Sequence, residues 1–228
     1  MKNFIGSSKQ KIKGPKVSYM ETHSFIIKRR NKLTSKELPL VFGISGVARC
    51  GKDTLAKYLE NKFIKNTYPV AKISFASAVK KDLDDFLQDK LNISAFTENN
   101  NEKEIIRPLL VSYATDVCRN KISKDFWIDK IKSRVKSCIE NKIIVLIPDV
   151  RYENEVKWIK KMGGYIIHVK KIKNPPANFE EKVNDPIIYN MADYHIKWRA
   201  FKDEKKTCSH HVAKLFKHNG WSLYGEFK

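Results

Sequence analysis

The sequence predicts an α/β fold in which helices cover both faces of a mostly parallel central sheet. Segments of strand length alternate along the chain with segments whose apolar residues recur at helical spacing. The clearest strand, KIIVLIPDV at residues 142–150, is apolar on both faces, as in a buried parallel sheet. The 228 residues, 42% hydrophobic and 31% charged, suffice for one domain with a substantial core. The expected arrangement is a three-layer sandwich of helices, sheet and helices.

The first half of the chain contains two predicted pairs of a strand and a helix, followed by a flap. PLVFGIS at residues 39–45 is a short apolar strand, and a helix with one apolar face follows it. VAKISF at 70–75 alternates as a second strand, and a second helix is expected over 76–91. The polar, asparagine-rich segment near 92–104 predicts a flap.

The second half continues this alternation. In order, the predicted elements are a helix after Pro108, a helix around residues 128–139, the strand at 142–150, a short helix that ends at Gly163, a strand at 165–170 and a helix over 207–216. The prolines of NPPANFEEKVNDP break regular structure and predict a lid-like loop near 171–186. We therefore assign residues 38–228 to one domain.

Residues 1–37 are predicted to form a basic, mobile N-terminal arm outside that domain. Residues 1–38 carry ten basic and two acidic groups and show little apolar periodicity. The whole chain has a formal net charge of +20, which suits an anionic partner, so the arm is a candidate for nonspecific contact with nucleic acid. A lysine-rich composition with solvated surfaces explains the same charge, and this alternative stays open.

The composition also indicates in which cellular compartment the protein is expected. No apolar run approaches the roughly 18 to 20 residues that span a bilayer, so no membrane contact is predicted. Four cysteines lack metal-ligand or disulfide-framework spacing and are interpreted as free thiols, namely Cys50, Cys118, Cys138 and Cys208. Free thiols favour a reducing compartment, so we expect a cytoplasmic protein.

A glycine-rich turn between the first strand and the first helix carries the strongest motif. In GVARCGKDT, the spacing of Gly46, Gly51 and Lys52 fits a phosphate loop (P-loop). Glycines let successive backbone amides point at phosphate, and the start of the helix adds its positive dipole. The motif predicts a P-loop NTPase fold in which the phosphates of a nucleotide, ATP if the resemblance described below holds, are bound by Gly46, Val47, Ala48, Arg49, Cys50, Gly51, Lys52, Asp53 and Thr54. Asp53 stands where a serine or threonine usually holds magnesium, and the hydroxyl is displaced to Thr54.

Polar residues also lie at the carboxyl end of the strand at 142–150, and ligands of parallel sheets bind at this end of the strands. Asp149 can hold magnesium or accept a hydrogen bond from a substrate, and its alternative role is to cap the helix that follows. Arg151 stands beside it in a chain with eight arginines and 37 lysines. An arginine fork binds phosphate through two parallel hydrogen bonds, so Arg107 and Arg119 are candidates to clamp an anionic acceptor.

Three blocks resemble signature segments of the phage-type deoxynucleoside monophosphate kinases. They are SGVARCGKDT, then RPLLVSYATDV with Arg119 and Trp127 after it, and finally DVRYENE. The resemblance implies a P-loop kinase that uses ATP and magnesium to phosphorylate a deoxynucleoside monophosphate and so supplies DNA precursors. Asp53 belongs to that family's GKDT loop. The chain departs from the family pattern at Val111 and Ala114, where a glutamine and a glycine are usual.

The resemblance also implies a role for each matching residue. Lys52 would contact the ATP phosphates, Asp53 and Thr54 would serve magnesium, and Lys52, Asp53 and Arg151 would form the catalytic group. The acceptor nucleotide would be held by Thr115 and Trp127 and contacted by Asp149, Arg151 and Glu155. A viral enzyme of this kind would act in the host cytoplasm, and a homodimer stands open beside a monomer. The expected reaction is in-line phosphoryl transfer driven by positioning and charge neutralisation.

Three other functions stay open at this point. Another small-molecule P-loop kinase, such as an animal-type phosphomevalonate kinase, also pairs a GKD loop with a later acid and arginine. A nucleic-acid-binding P-loop ATPase or polynucleotide kinase would use the +20 charge and the arm. A non-catalytic nucleotide binder would be consistent with the departures at Val111 and Ala114.

Overall fold

A computed structural model describes residues 37–199 and 203–223. Five parallel strands form one sheet in the order β2-β3-β1-β4-β5. Their bounds are β1 Val41–Ser45, β2 Val70–Lys72, β3 Ile144–Val150, β4 Tyr165–Lys171 and β5 Tyr194–Trp198. The predicted α/β fold with a parallel sheet is therefore confirmed. The predicted basic arm lies outside the described residues, except for Glu37.

Helices connect the strands and cover the sheet. They are α1 Lys52–Lys65, α2 Phe75–Leu91, α3 Asn100–Val111, a π-helix at Ser112–Ile122, α4 Phe126–Glu140, α5 Glu153–Lys161, α6 Phe179–Met191 and α7 Glu204–Asn219. In the part of the chain that the structure describes, no helix is long and apolar enough to cross a bilayer.

The alternation of side chains along β1 builds the two cores. Phe42 and Ile44 point to one face, where they join the apolar sides of α1 and α7. Val41 lies in the core on the opposite face, with residues of α2, α4, α5 and α6. Because all five β1 residues are buried, this strand forms the centre of the molecule, and the loop that follows it stands on a rigid base.

The structure corrects three predicted element bounds. Pro108 lies inside α3 rather than before a helix, and α3 begins at Asn100, within the predicted flap. Asn99 provides the cap, since its side chain accepts a hydrogen bond from the backbone N–H of Asn101 at 2.9 Å. The chain then continues from Ser112 as a π-helix, a rare form that often marks a functional site.

The third correction concerns the lid-like loop predicted near 171–186. Only its first part is irregular, because α6 begins at Phe179 and contains Pro186. The side chain of Asn178 accepts a hydrogen bond from the Glu181 N–H at 2.9 Å and so caps the helix. The prolines at the start of this segment masked the helical signal that follows them. The strand β5 was likewise not among the predicted elements.

Candidate active site

The loop between β1 and α1 has the backbone that a phosphate loop requires. Gly46, Arg49 and Gly51 have positive φ angles of 131°, 58° and 98°. A Cβ atom on Gly46 would lie 2.2 Å from the carbonyl oxygen of Val169, so only glycine fits there. Gly51 provides no side-chain cap, which leaves the first N–H groups of α1 available to an anion.

Lys52 folds back over this loop. Its buried side chain donates hydrogen bonds from Nζ to the carbonyl oxygens of Gly46 and Val47, each at 2.7 Å. A further support comes from β5, where the indole N–H of Trp198 donates to the carbonyl of Cys50 at 2.8 Å. The loop is therefore held from inside by its own lysine and from outside by an edge strand.

Asp53 and Thr54 lie in the first turn of α1, beside the loop. Asp53 is exposed and Thr54 is half-buried. Both line a groove of about 930 Å³ that runs between α1 and the start of α7 and also contains Lys57, Tyr58 and Glu204. No group of three or more histidine, cysteine or acidic residues that could hold a metal occurs among the described residues. Asp53 offers one carboxylate at this position, and magnesium in proteins is usually bound by one or two carboxylates together with phosphate and water.

Asp149 connects the end of β3 to the start of α2. Its carboxylate accepts hydrogen bonds from the hydroxyl of Ser74 at 2.8 Å and from the backbone N–H groups of Phe75 and Ala76 at 3.2 and 2.8 Å. Burial raises the pKa of Asp149, and these hydrogen bonds oppose the rise. Asp149 thus caps a helix, but the helix is α2 and not the one that follows it in sequence.

Arg119 and Glu155 form a buried ion pair next to this strand end. Arg119 Nη2 lies 2.6 Å from Glu155 Oε1, and both side chains are less than a tenth exposed. Arg119 Nη1 also donates to the carbonyl of Lys124 at 3.0 Å. The guanidinium stacks on the Tyr152 ring, 3.6 Å from its centroid. Arg119 is therefore fixed, and it joins the π-helix to α5.

The second oxygen of Glu155 shapes the turn after β3. Glu155 Oε2 accepts from the backbone N–H groups of Arg151 at 2.7 Å and Tyr152 at 3.1 Å. Burial raises the pKa of Glu155 to about 7, although Arg119 and the two backbone donors lower it. Glu155 thereby sets the direction in which Arg151 leaves the strand.

Arg151 points to an acid that the sequence did not indicate as a site residue. Arg151 Nη1 lies 3.1 Å from Oε1 of Glu181, which stands in the first turn of α6. The same carboxylate accepts a hydrogen bond from the backbone N–H of Ala48 in the phosphate loop, at 3.0 and 3.1 Å from its two oxygens. An acid in the first turn of a helix normally indicates only an interaction with the helix dipole, so no sequence pattern indicates this contact.

The remaining predicted substrate residues lie around the π-helix. Trp127 is 2% exposed, and its indole N–H donates to the carbonyl of Ala114 at 2.9 Å. Thr115 is half-buried, whereas Arg107 and Val111 are exposed. Trp127 consequently lies beneath the π-helix as part of the core, and Arg107 stays on the surface of α3.

The parallel sheet and the glycine loop at the carboxyl end of its central strand define a P-loop nucleotide-binding protein. The sequence model of the family described as deoxynucleotide monophosphate kinase matches residues 72–185, half of the chain. The chain belongs to this family, and it is a nucleotide kinase. The matched span contains Asp149, Arg151, Glu155 and Glu181, and the phosphate loop lies before it.

No curated protein matches the chain. Two solved structures of the Mycobacterium tuberculosis APS kinase CysC are similar to it, a Cys556Ala mutant and a complex with AMPPNP and APS. Each is 12% identical, covers 79% of this chain and 99% of its own, and has a TM-score of 0.36. Likeness at this level says nothing about the substrate of this chain.

The contact between Gly46 and Val169 predicts a large difference between two glycine substitutions. Gly46→Ala should lower the free energy of unfolding by about 3 kcal/mol or more, because it combines a strained φ with overlap against backbone. Gly163→Ala is the matched control, since Gly163 also has positive φ but its Cβ would meet no atom within 4 Å; it should lose only about 1 kcal/mol. Urea unfolding of both variants measures this, and equal losses would contradict the close approach.

The raised pKa of Glu155 predicts how stability depends on pH. In the unfolded chain Glu155 loses its proton near its ordinary pKa of 4.5, whereas in the folded protein it keeps the proton up to about pH 7. The stabilisation is therefore present below pH 4.5 and is lost as the pH rises through 7. Relative to Glu155→Gln, the wild type should lose stability between pH 5 and 7, by at most about 1.4 kcal/mol per pH unit.

Urea midpoints at pH 5, 6, 7 and 8 measure this difference. Glu153→Gln is the matched control, because it removes an exposed carboxylate from the same helical turn and should run parallel to the wild type. Parallel curves for the wild type and Glu155→Gln would show that burial does not shift the pKa of Glu155.

Proposed function

We propose that this protein transfers the terminal phosphoryl group of ATP to a deoxynucleoside monophosphate, with magnesium. One observation carries the proposal. Ser45 at the end of β1 is paired with Val150 at the end of β3, so the phosphate loop and Arg151 leave adjacent strands at the same level. A donor phosphate in the loop would thus lie beside an arginine, and family membership supports a deoxynucleoside monophosphate as the acceptor.

On the donor side, the loop amides and Lys52 bind the phosphates. Lys52 would exchange the carbonyls of Gly46 and Val47 for phosphate oxygens, following the charge as it moves in the reaction. The nucleoside of the donor would extend along the start of α1 toward the groove next to α7. In-line transfer needs no covalent intermediate, so catalysis here consists of orientation and neutralisation of charge.

Asp53 and Thr54 are the residues that would hold magnesium. An ion held by these two residues would supply neutralisation of the charge that develops on the transferred phosphoryl group. The exposed carboxylate of Asp53 fits this role, because it stands in the first turn of α1 next to the loop amides. The neighbouring hydroxyl of Thr54 can orient a ligand water.

On the acceptor side, Thr115 contacts the monophosphate in our proposal, and Arg151 stands between the donor and acceptor phosphates, where it can contact both. The side chain of Arg151 is 48% exposed and can reach a ligand, and the exposed Arg107 stays a candidate from the sequence. Asp149, Arg119, Glu155 and Trp127 already bind protein partners through their polar groups, so we assign them to positioning. Asp149 orients the start of α2, while Arg119, Glu155 and Trp127 fix the π-helix and the turn that carries Arg151.

The family match favours this function over a phosphomevalonate kinase, a polynucleotide kinase or a non-catalytic binder. Contact of the arm with nucleic acid, a homodimer and a cytoplasmic location stay predictions from the sequence.

The proposal predicts product with at least one deoxynucleoside monophosphate. Purified protein is incubated with ATP, magnesium and each of the four deoxynucleoside monophosphates, with the ribonucleotides alongside, and diphosphates are separated by chromatography. Lys52→Met should lower kcat/KM by about a hundredfold or more, because the charge of the transition state loses its main cation. Lys136→Met, on the exposed side of α4, is the control and should match the wild type. Absence of diphosphate with every monophosphate would refute the function.

The assignment of Asp53 to magnesium predicts a change in metal dependence. Asp53→Ser should raise the magnesium concentration for half-maximal rate by about tenfold or more, since a carboxylate is replaced by a weaker hydroxyl ligand. Asp89→Ser removes a surface carboxylate from α2 and should leave the magnesium titration unchanged. An unaltered titration in Asp53→Ser would contradict the proposed role.

A further inference from the structure

The carboxylate of Glu181 occupies the mouth of the phosphate loop. Its two oxygens accept the N–H of Ala48 at 3.0 and 3.1 Å, and Oε2 also accepts the N–H of Ala177 at 3.0 Å. Oε1 is paired with Nη1 of Arg151 at 3.1 Å. Glu181 is 8% exposed, so the acid is built into this position rather than placed on the surface.

The segment before α6 also contacts Ala48, through the carbonyl of this residue. The side chain of Asn174 donates to the carbonyl of Ala48 at 2.9 Å, while Glu181 accepts from the N–H of Ala48. Farther along α6, Asp185 contacts the buried His168 at 2.9 Å. The attachment of the second turn of α6 to β4 is therefore separate from the contacts that the first turn makes with the loop.

These contacts fill the places that an anionic ligand of the loop would take. A backbone amide of a phosphate loop and an adjacent arginine are both donors to phosphate oxygens. In the structure Ala48 and Arg151 donate to one carboxylate. Two anions cannot share these donors at hydrogen-bond distance without strong repulsion, because like charges in a weakly solvated site repel each other.

We propose that Glu181 is a positioning residue that competes with the terminal phosphate of the donor for the amide of Ala48 and for Arg151. Binding of the donor displaces the carboxylate, and Arg151 passes from Glu181 to the phosphate. Glu181 thereby holds Arg151 next to the loop and releases it only when a phosphate arrives. The inference rests on the proposed function, since it requires the loop to bind the donor.

Hydrogen exchange of the wild-type protein tests the displacement without any substitution. Ala177 is preceded by Pro175 and Pro176, which have no N–H, so the Ala177 amide can be followed in a short segment. When the magnesium salt of a β,γ-imido ATP analogue is added, exchange at Ala177 should accelerate about tenfold or more, because this amide loses its acceptor. Exchange at Ala48 should stay slow, since phosphate replaces the carboxylate there. Continued protection of Ala177 with the analogue bound would overturn the proposal.

Calorimetric titration of Glu181→Gln with the same analogue is the second test. An amide oxygen is a weaker acceptor than a carboxylate and does not repel phosphate, so the analogue should bind about fivefold more tightly than to the wild type. Glu180→Gln is the matched control, because Glu180 is an exposed neighbour in the same turn and its substitution should leave the affinity unchanged. Equal or weaker binding by Glu181→Gln would show a structural role and would overturn the proposal.

The two tests separate this inference from the proposed function. If the wild type binds the analogue and forms diphosphates, but Glu181→Gln does not bind it more tightly, only the competition fails. If neither protein binds the analogue, the phosphate loop is not a donor site, and the competition falls with it.

Discussion

The parallel pairing of β1 with β3 is the constraint on which the site depends. These strands lie in the middle of the sheet, buried between two apolar cores, so their carboxyl ends cannot shift relative to one another. One end becomes the phosphate loop and the other carries Asp149 and Arg151. The relative position of the phosphate loop and Arg151 is therefore set by the sheet, to which both are directly attached.

Three carboxylates fix the surrounding helices relative to these strand ends. Asp149 fixes the start of α2, Glu155 fixes Arg119 and the turn at Arg151, and Glu181 fixes the first turn of α6 against the phosphate loop. Each acid accepts backbone N–H groups and therefore pins main chain as well as side chains. The common principle is that acids with little exposure here set geometry, whereas the exposed Asp53 is the residue proposed to hold magnesium.

The strand pattern and the glycine spacing are local signals, and they predicted the parallel sheet and the phosphate loop. The family was predicted from the resemblance of three sequence blocks. It also identified Asp149, Arg119 and Glu155 as belonging to one region. Their partners could not be predicted, since Asp149 contacts Ser74 and Ala76 more than 70 residues away. Glu181 was missed for the same reason, as 133 residues separate it from Ala48. Side-chain contacts between distant segments follow from the packing of helices on the sheet, which no local pattern contains.

The two hydrogen bonds from Lys52 to the carbonyls of Gly46 and Val47 have a consequence for turnover. In the proposed reaction, Lys52 would exchange these two carbonyls for phosphate oxygens, so it would add less to the affinity for the donor than its charge suggests. Once the terminal phosphoryl group had left, the same carbonyls would compete better against the shortened product. The two hydrogen bonds would therefore favour product release, the step that limits the rate of many enzymes.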